Sequence, residues 1–101
     1  FGINNEDGWA AYFNHGNLFI KRYVHQMGAK YPDFGVSYET YTNDFMLEME
    51  SLSPLTLVEP GGTASHVEEW ELIGDVEMPS NDEAEIDAVV KEHIICCCDC
   101  C

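Results

Sequence analysis

Glu48 and Glu50 are the carboxylates whose spacing most directly suggests chemistry. Over residues 45–51 they alternate with Phe45, Leu47 and Met49. This period-two pattern indicates a β-strand with both glutamates on one face and the apolar side chains on the other. If the apolar face is buried, the carboxylates face a cleft or the solvent. In a cleft, a glutamate is a candidate general base, whereas on an open face it is a solvated or salt-bridged strand residue.

A second polar group shares one face of a later predicted strand. His66, Glu68 and Trp70 are spaced two residues apart. This set is a candidate sugar platform, because a flat indole stacks on sugar C–H bonds while a carboxylate accepts hydroxyl hydrogen bonds. The alternative is a core tryptophan with a surface histidine and glutamate. Glu69 and Glu71 add negative charge that favours weak cation binding at most, since the spacing of an EF-hand calcium loop is absent.

The chain ends in a cluster that holds all five cysteines, CCCDCC. Cys97 with Cys100, and Cys98 with Cys101, have the C-x-x-C spacing of thiolate ligands for a soft metal such as Zn²⁺ or Cu⁺, with His93 as a further candidate ligand. A zinc site normally uses two such pairs from separated elements. The alternatives are a redox-sensitive cluster, an acylated tail, and a frayed, disordered tail or non-native end. We expect the last of these, because an acidic chain lacks the basic residues that usually support a lipid anchor. Clustered thiols also favour a reducing, cytoplasmic setting.

Strand-like runs separated by turn residues must position these side chains. The runs span residues 9–13, 18–25, 38–41, 45–51, 55–58 and 63–72. Period-two runs between Gly, Pro, Asn and Asp breakers are typical of antiparallel β-structure. The first two runs are close enough to form a hairpin. Lys21 and Arg22 lie in the second run and Lys30 follows it. We expect these basic residues to pair across a sheet with the strand that carries Glu48 and Glu50.

The pattern changes near residue 80. Ser80 or Asn81 is a candidate helix cap, acidic residues fill the next turn, and apolar residues then recur at spacings of three and four. These signals predict a short amphipathic helix over about 82–94. The sequence therefore predicts a mainly β protein with one short C-terminal α-helix: an antiparallel β region over 1–79, a helix within 80–95 and a cysteine-rich tail over 96–101.

Composition limits the partners. The 101 residues include 19 acidic and 4 basic side chains, a net charge of −15. This charge repels a phosphate backbone, so we expect neither nucleic acid nor an anionic membrane as a partner. It suits neutral sugars or cations, but plain solubility is the simpler explanation of the charge. No P-loop, dinucleotide fingerprint or Ser-His-Asp elbow appears in the sequence, and we expect no cofactor.

Several short motifs, taken in order, resemble a known family. YPDFG, YETYTN, MLEMESLSPL, EPGG and HVEEWEL follow one another between residues 31 and 72. This order is similar to the C-terminal part of galactose-mutarotase-like (aldose-1-epimerase-like) carbohydrate-binding proteins, and most resembles their uncharacterised branch. The similarity covers roughly residues 9–72. It implies a β-sandwich that forms the last third of a larger supersandwich, with a sugar cleft on the concave face.

The resemblance also implies roles for single residues. Glu48 best matches the late-strand glutamate that is the catalytic base of mutarotases, and Glu50 is the second match. Tyr31 and Asp33 lie on the loop that borders the sugar cleft in that family. The alternative for this loop is a plain connection with one packed aromatic side chain. The sequence departs from the family because residues 49–52 replace a proline-containing segment and because it carries no counterpart of the upstream catalytic histidines. The expected sugar-binding residues are Glu50, His66, Glu68, Trp70, Tyr31 and Asp33.

We therefore expect this chain to bind a small-molecule sugar without catalysing its epimerisation. Two alternatives remain open: a thiolate metal-binding or redox-sensitive protein acting through the cysteine tail, and a truncated domain with no independent activity. Part of a sandwich leaves sheet edges and an apolar face uncovered. We therefore also expect self-association or marginal stability.

Overall fold

The computed structural model of the protein describes residues 1–95 and is mainly β. Its strands form two three-stranded antiparallel sheets, of order β1-β4-β5 and β2-β3-β6. The strands are β1 Gly2–Ile3, β2 Trp9–Asn14, β3 Asn17–Tyr23, β4 Tyr38–Thr42, β5 Leu47–Ser51 and β6 Glu68–Ile73. One C-terminal helix follows them. The predicted class, antiparallel β-structure with one short C-terminal helix, is confirmed.

The predicted hairpin is present as β2 and β3. The two residues between them, His15 and Gly16, both have positive φ, at 51° and 75°. Positive φ at both positions of a two-residue loop is the backbone of the turn that suits the twist of paired strands. Glycine adopts it without steric cost, whereas histidine does so at some expense. The Asn17 side chain supports the turn by donating to the His15 carbonyl oxygen at 3.4 Å.

The pairing of β4 with β5 fixes which face each glutamate occupies. Glu39 lies opposite Glu50, and Tyr41 lies opposite Glu48. Because alternate residues of a strand point to opposite faces, Glu48 and Glu50 share their face with Glu39, while Ser51 points the other way. The predicted alternation within this strand is therefore confirmed.

Two sequence predictions for apolar residues are wrong. Residues 55–58 form no strand, and Leu57 is 94% exposed. The segment lies between Pro54 and Pro60, and the Leu55 amide donates to the Lys30 carbonyl at 2.7 Å in place of a strand ladder. Phe45, expected on the buried face, is 93% exposed. It precedes β5 in a turn where its amide donates to the Asn43 side chain at 2.9 Å.

The loop before β4 contains a strained turn. Asp33 and Phe34, within the turn Pro32–Gly35, have φ of 52° and 66°. Both values lie in the left-handed region, which disfavours residues other than glycine. Phe34 is fully exposed, so no packing of its ring offsets that cost. The Val36 amide closes the turn by donating to the Pro32 carbonyl at 3.1 Å.

The described chain divides into two compact units, one of residues 1–10 and 21–70 and the other of residues 11–20 and 71–95. The first has a tyrosine-rich core of Tyr23, Tyr31 and Tyr38. Fully buried Ser37 lies in the same unit, where its hydroxyl accepts from the Asn5 amide at 2.9 Å and donates to the Asn5 carbonyl at 3.2 Å. The core of the second unit consists of Leu18, Ile20, Val76 and Ile94.

The C-terminal helix spans Glu83–Val89 and continues as a π-helical turn, Val90–Ile94. Its cap is Asp82, not the predicted Ser80 or Asn81. The Asp82 carboxylate accepts from the Glu85 amide at 3.3 Å. The Ser80 hydroxyl accepts from the amide of Asp82 itself, before the helix begins. The predicted tail, 96–101, lies outside the described residues. Within residues 1–95, no helix combines the length and apolar character needed to cross a membrane.

A glycine substitution tests the packing at the start of β2. Gly8 has φ of 76°, and a Cβ there would lie 2.5 Å from the Tyr23 carbonyl oxygen. Gly28 has φ of 80° with open space around it. We expect Gly28→Ala to lower the free energy of unfolding by about 1 kcal/mol through backbone strain alone. Gly8→Ala should cost about 2 kcal/mol or more, because the backbone hydrogen bond between Gly8 and Tyr23 is also disturbed. Urea unfolding of both variants measures the difference, and equal losses would contradict the packing argument.

Candidate functional site

The Glu68 carboxylate, at the start of β6, is the centre of a hydrogen-bonded cluster in the first unit. Its Oε2 atom accepts from the Ser51 hydroxyl and lies 3.3 Å from the Lys21 Nζ atom. Its Oε1 atom accepts from the Trp70 indole Nε1 at 3.1 Å. One carboxylate thus satisfies three donors. These donors come from β3, β5 and β6.

Lys21 is only 7% exposed, although it carries a charge. A buried ammonium is costly unless it is paired and hydrogen-bonded. Its Nζ atom pairs with Glu68, donates to the Met49 carbonyl oxygen, and lies 5.7 Å from the centre of the Trp70 ring. The last distance is within the range of a cation–π contact. The sequence predicted a partner for Lys21 on the strand that carries Glu48 and Glu50. That strand supplies only the Met49 carbonyl oxygen. The carboxylate that pairs with Lys21 is Glu68, on β6.

His66 completes the cluster through Ser51. Its Nε2 atom lies 2.9 Å from the Ser51 Oγ atom and 3.8 Å from the Glu68 Oε2 atom. Because the Ser51 hydroxyl donates its one proton to Glu68, the hydrogen-bond network assigns the His66 Nε2 atom as a donor. A catalytic serine needs the reverse, with histidine accepting the serine proton and the carboxylate bonded to the other ring nitrogen. The three residues are therefore not arranged as a nucleophilic triad.

The pKa of the Glu68 carboxyl is lowered by these contacts. Burial raises the pKa, but the hydrogen bonds from Ser51, Trp70 and Lys21, together with the Lys21 charge, outweigh burial. Donors to the ionised form favour that form. Glu68 is thus an ionised anchor, and a lowered pKa makes it a weak proton acceptor at neutral pH.

Trp70 is the accessible member of the cluster. Its side chain is 68% exposed even though its indole N–H is held by Glu68. Exposed tryptophan is uncommon, because the indole offers a large apolar area to water. An exposed ring in a fixed orientation, with Ser51 and His66 joined to the same carboxylate, is a surface that can contact a ligand with both apolar and hydroxyl groups.

The structure gathers only some of the predicted sugar-binding residues. His66, Glu68 and Trp70 come together as predicted. Glu48 and Glu50 lie on the other face of β5 from Ser51. Sequence reasoning missed Ser51 and the role of Lys21 as the partner of Glu68. The available signals were the position of Ser51, opposite in phase to the two glutamates, and a lysine inside an apolar strand.

The loop residues predicted for the site lie elsewhere. Tyr31 is a core residue, whose hydroxyl accepts from the Gln26 amide at 2.9 Å and whose ring stacks on His25 at 5.0 Å. Asp33 contacts the side chain of Glu39, and this hydrogen bond is the main cause of a raised pKa at Glu39. Desolvation and the negative charges of Asp33 and Glu50 raise it further. Asp33 and Glu50 thus belong to an acidic group around Glu39.

No metal centre is found in the described part of the chain: residues 1–95 contain no group of three His, Cys, Asp or Glu side chains placed to hold an ion. The predicted thiolate alternative, Cys97, Cys98, Cys100 and Cys101, lies outside those residues.

Comparisons of this chain with protein-family models, with curated proteins and with solved structures find no match. The site must therefore be interpreted from its own geometry.

The lowered pKa of Glu68 predicts a pH dependence of stability. The unfolded carboxyl titrates near 4.5 and the folded one below it. Glu68 therefore contributes its full stabilisation above about pH 4.5, and this contribution is lost as the pH falls through the folded pKa. Unfolding free energies of the wild type and Glu68→Gln should converge across this acid range. Glu69→Gln removes the same charge without breaking the three hydrogen bonds and is the control. A Glu68 side-chain pKa at or above 4.5 by NMR titration would contradict the cluster geometry.

Proposed function

We propose that this chain binds a neutral saccharide against the exposed ring of Trp70. The observation that carries the proposal is an indole that is 68% exposed while its N–H is bonded to Glu68. A ring already fixed in orientation loses little conformational entropy when a ligand stacks on it. Its apolar face is complementary to the C–H face of a sugar.

Neighbouring polar groups would serve the sugar hydroxyls. His66 and Ser51 are linked at 2.9 Å and adjoin Glu68, which also holds Trp70. Glu68 already accepts three donors, so its proposed role is to hold the platform, and His66 is the better candidate for direct hydrogen bonding. The sequence predicted that His66 and Glu68 both bind the sugar. In this proposal His66 binds it and Glu68 positions Trp70.

The proposal is for binding rather than epimerisation. Mutarotation needs a base and an acid on the same sugar. Glu48, the base that the family resemblance suggests, lies on the face of β5 opposite to Ser51. The lowered pKa of Glu68 makes it a weak proton acceptor and keeps it without a proton to donate. Descent from aldose-epimerase-like proteins remains our proposal, supported by the order of the motifs between residues 31 and 72.

Three further proposals concern nucleic acid as a partner, the cellular compartment and self-association. The net charge of −15 disfavours nucleic acid as a partner, and the clustered cysteines favour a reducing compartment such as the cytoplasm. Self-association through outer strands such as β5 and β6 is also proposed. Three glutamates on β6 would weaken such pairing, because like charges would be brought together.

A fluorescence titration tests the saccharide proposal. The sequence has two tryptophans, so Trp9→Phe leaves Trp70 as the only indole reporter. We expect galactose or glucose at millimolar concentration to change its emission in a saturable way. Sugar at 100 times its dissociation constant should also add about 2.7 kcal/mol to the free energy of unfolding.

Trp70→Leu keeps an apolar side chain but removes the flat ring. We expect it to abolish the sugar-induced rise in melting temperature, while Trp9→Phe retains that rise. A melt of the wild type that is indifferent to every sugar tested, or a Trp70→Leu variant that binds as well as the wild type, would rule out the ring as the binding surface.

A further inference from the structure

A groove in the second unit is lined by apolar and acidic side chains, none of which belongs to the proposed saccharide site. It lies along the segment 75–79 and the C-terminal helix, and its volume is about 470 Å³. This volume is in the range of small-molecule sites in proteins. The apolar part of its lining consists of Val76, Met78, Pro79, Ala88 and Val89.

The charged part of the lining is almost entirely negative. Asp75, Glu77, Glu85 and Glu92 line the groove, and His93 is the one basic side chain among its described lining residues. Two of these carboxylates have contacts within the chain. Glu85 accepts from the Ser80 hydroxyl, and Glu92 lies 3.7 Å from the His93 Nε2 atom. No lysine or arginine is among the described residues that line the groove, so its field favours a cationic ligand.

Apolar lining and negative charge together restrict the chemistry of that ligand. A small hydrated metal ion prefers a set of converging oxygen ligands and gains nothing from methionine or valine. The described residues contain no such metal-binding group. A ligand with a hydrocarbon body and ammonium groups matches both parts, because methylenes cover apolar side chains while the charged ends stay near carboxylates and water.

We propose that this groove binds an aliphatic polyamine, an organic cation whose ammonium groups are separated by methylene chains. The methylenes pack along Met78 and Val89, and the ammonium groups lie near Glu77 and Glu92. This site is independent of Trp70, and the two proposals stand or fall separately.

Calorimetric titration of the reduced full chain with spermidine tests the proposal. The groove variant Glu77→Gln with Glu92→Gln removes two charges from the lining. Glu69→Gln with Glu71→Gln removes two charges from β6 and matches its net charge. We expect spermidine affinity to fall roughly fivefold or more in the groove variant, in keeping with the loss of two ion pairs, and by less than about twofold in the control.

A second measurement locates the ligand without any substitution. Spermidine should shift backbone amide resonances of residues 75–79 and 85–93 in the wild type, and Mg²⁺ at equal charge concentration should not reproduce these shifts. Equal weakening by the groove and control variants, shifts spread over all acidic segments, or equal displacement by Mg²⁺ would overturn the proposal, because each would show general charge attraction.

Discussion

The buried ammonium of Lys21 is the constraint on which the arrangement of the first unit depends. A charge that is 7% exposed must be neutralised and hydrogen-bonded where it stands. Glu68 supplies the charge and the Met49 carbonyl supplies a further acceptor. Removing either member of the Lys21–Glu68 pair would leave the other without its compensation, which costs more than the pair itself contributes. The pair therefore ties β3 to β6, and the bond to Met49 adds β5.

The character of the candidate site follows from that pair. With Glu68 held ionised, Ser51 and Trp70 donate to it, and His66 donates in turn to Ser51. Every proton in this chain of hydrogen bonds points toward the carboxylate. Such a network fixes side-chain positions and leaves an oriented indole at the surface, which suits recognition. Nucleophilic chemistry would need the protons to be directed the other way.

The surroundings of the acidic side chains differ from one part of the described chain to another. At Glu68 it is compensated by a lysine, whereas around Glu39 the Asp33 carboxyl shares a hydrogen bond and the pKa of Glu39 rises. Along the C-terminal groove the carboxylates adjoin apolar side chains without a lining lysine or arginine among the described residues. With four basic residues against nineteen acidic ones, the sequence has too few basic side chains to pair one to one with its carboxylates.

Local patterns in the sequence determined much of the fold. Alternation predicted the strand with Glu48 and Glu50 on one face, the short gap between the first two strand-like runs predicted the hairpin, and spacings of three and four predicted the C-terminal helix. The two-residue spacing of His66, Glu68 and Trp70 was enough to place them together. These features succeed because side-chain periodicity and turn preferences depend on neighbours along the chain.

Tertiary structure alone decided which strands meet. Nothing local shows that Lys21 and Ser51 converge on Glu68. For Tyr31 the sequence left a cleft position and a packed position open, and the fold decided for the core. The apolar run at 55–58 shows the same limit, because an apolar run becomes a strand only where another strand offers its backbone groups, and none pairs with it within residues 1–95. Which strands pair depends on interactions between segments that are distant in the sequence. Neither the periodicity nor the composition of a single segment specifies its partner.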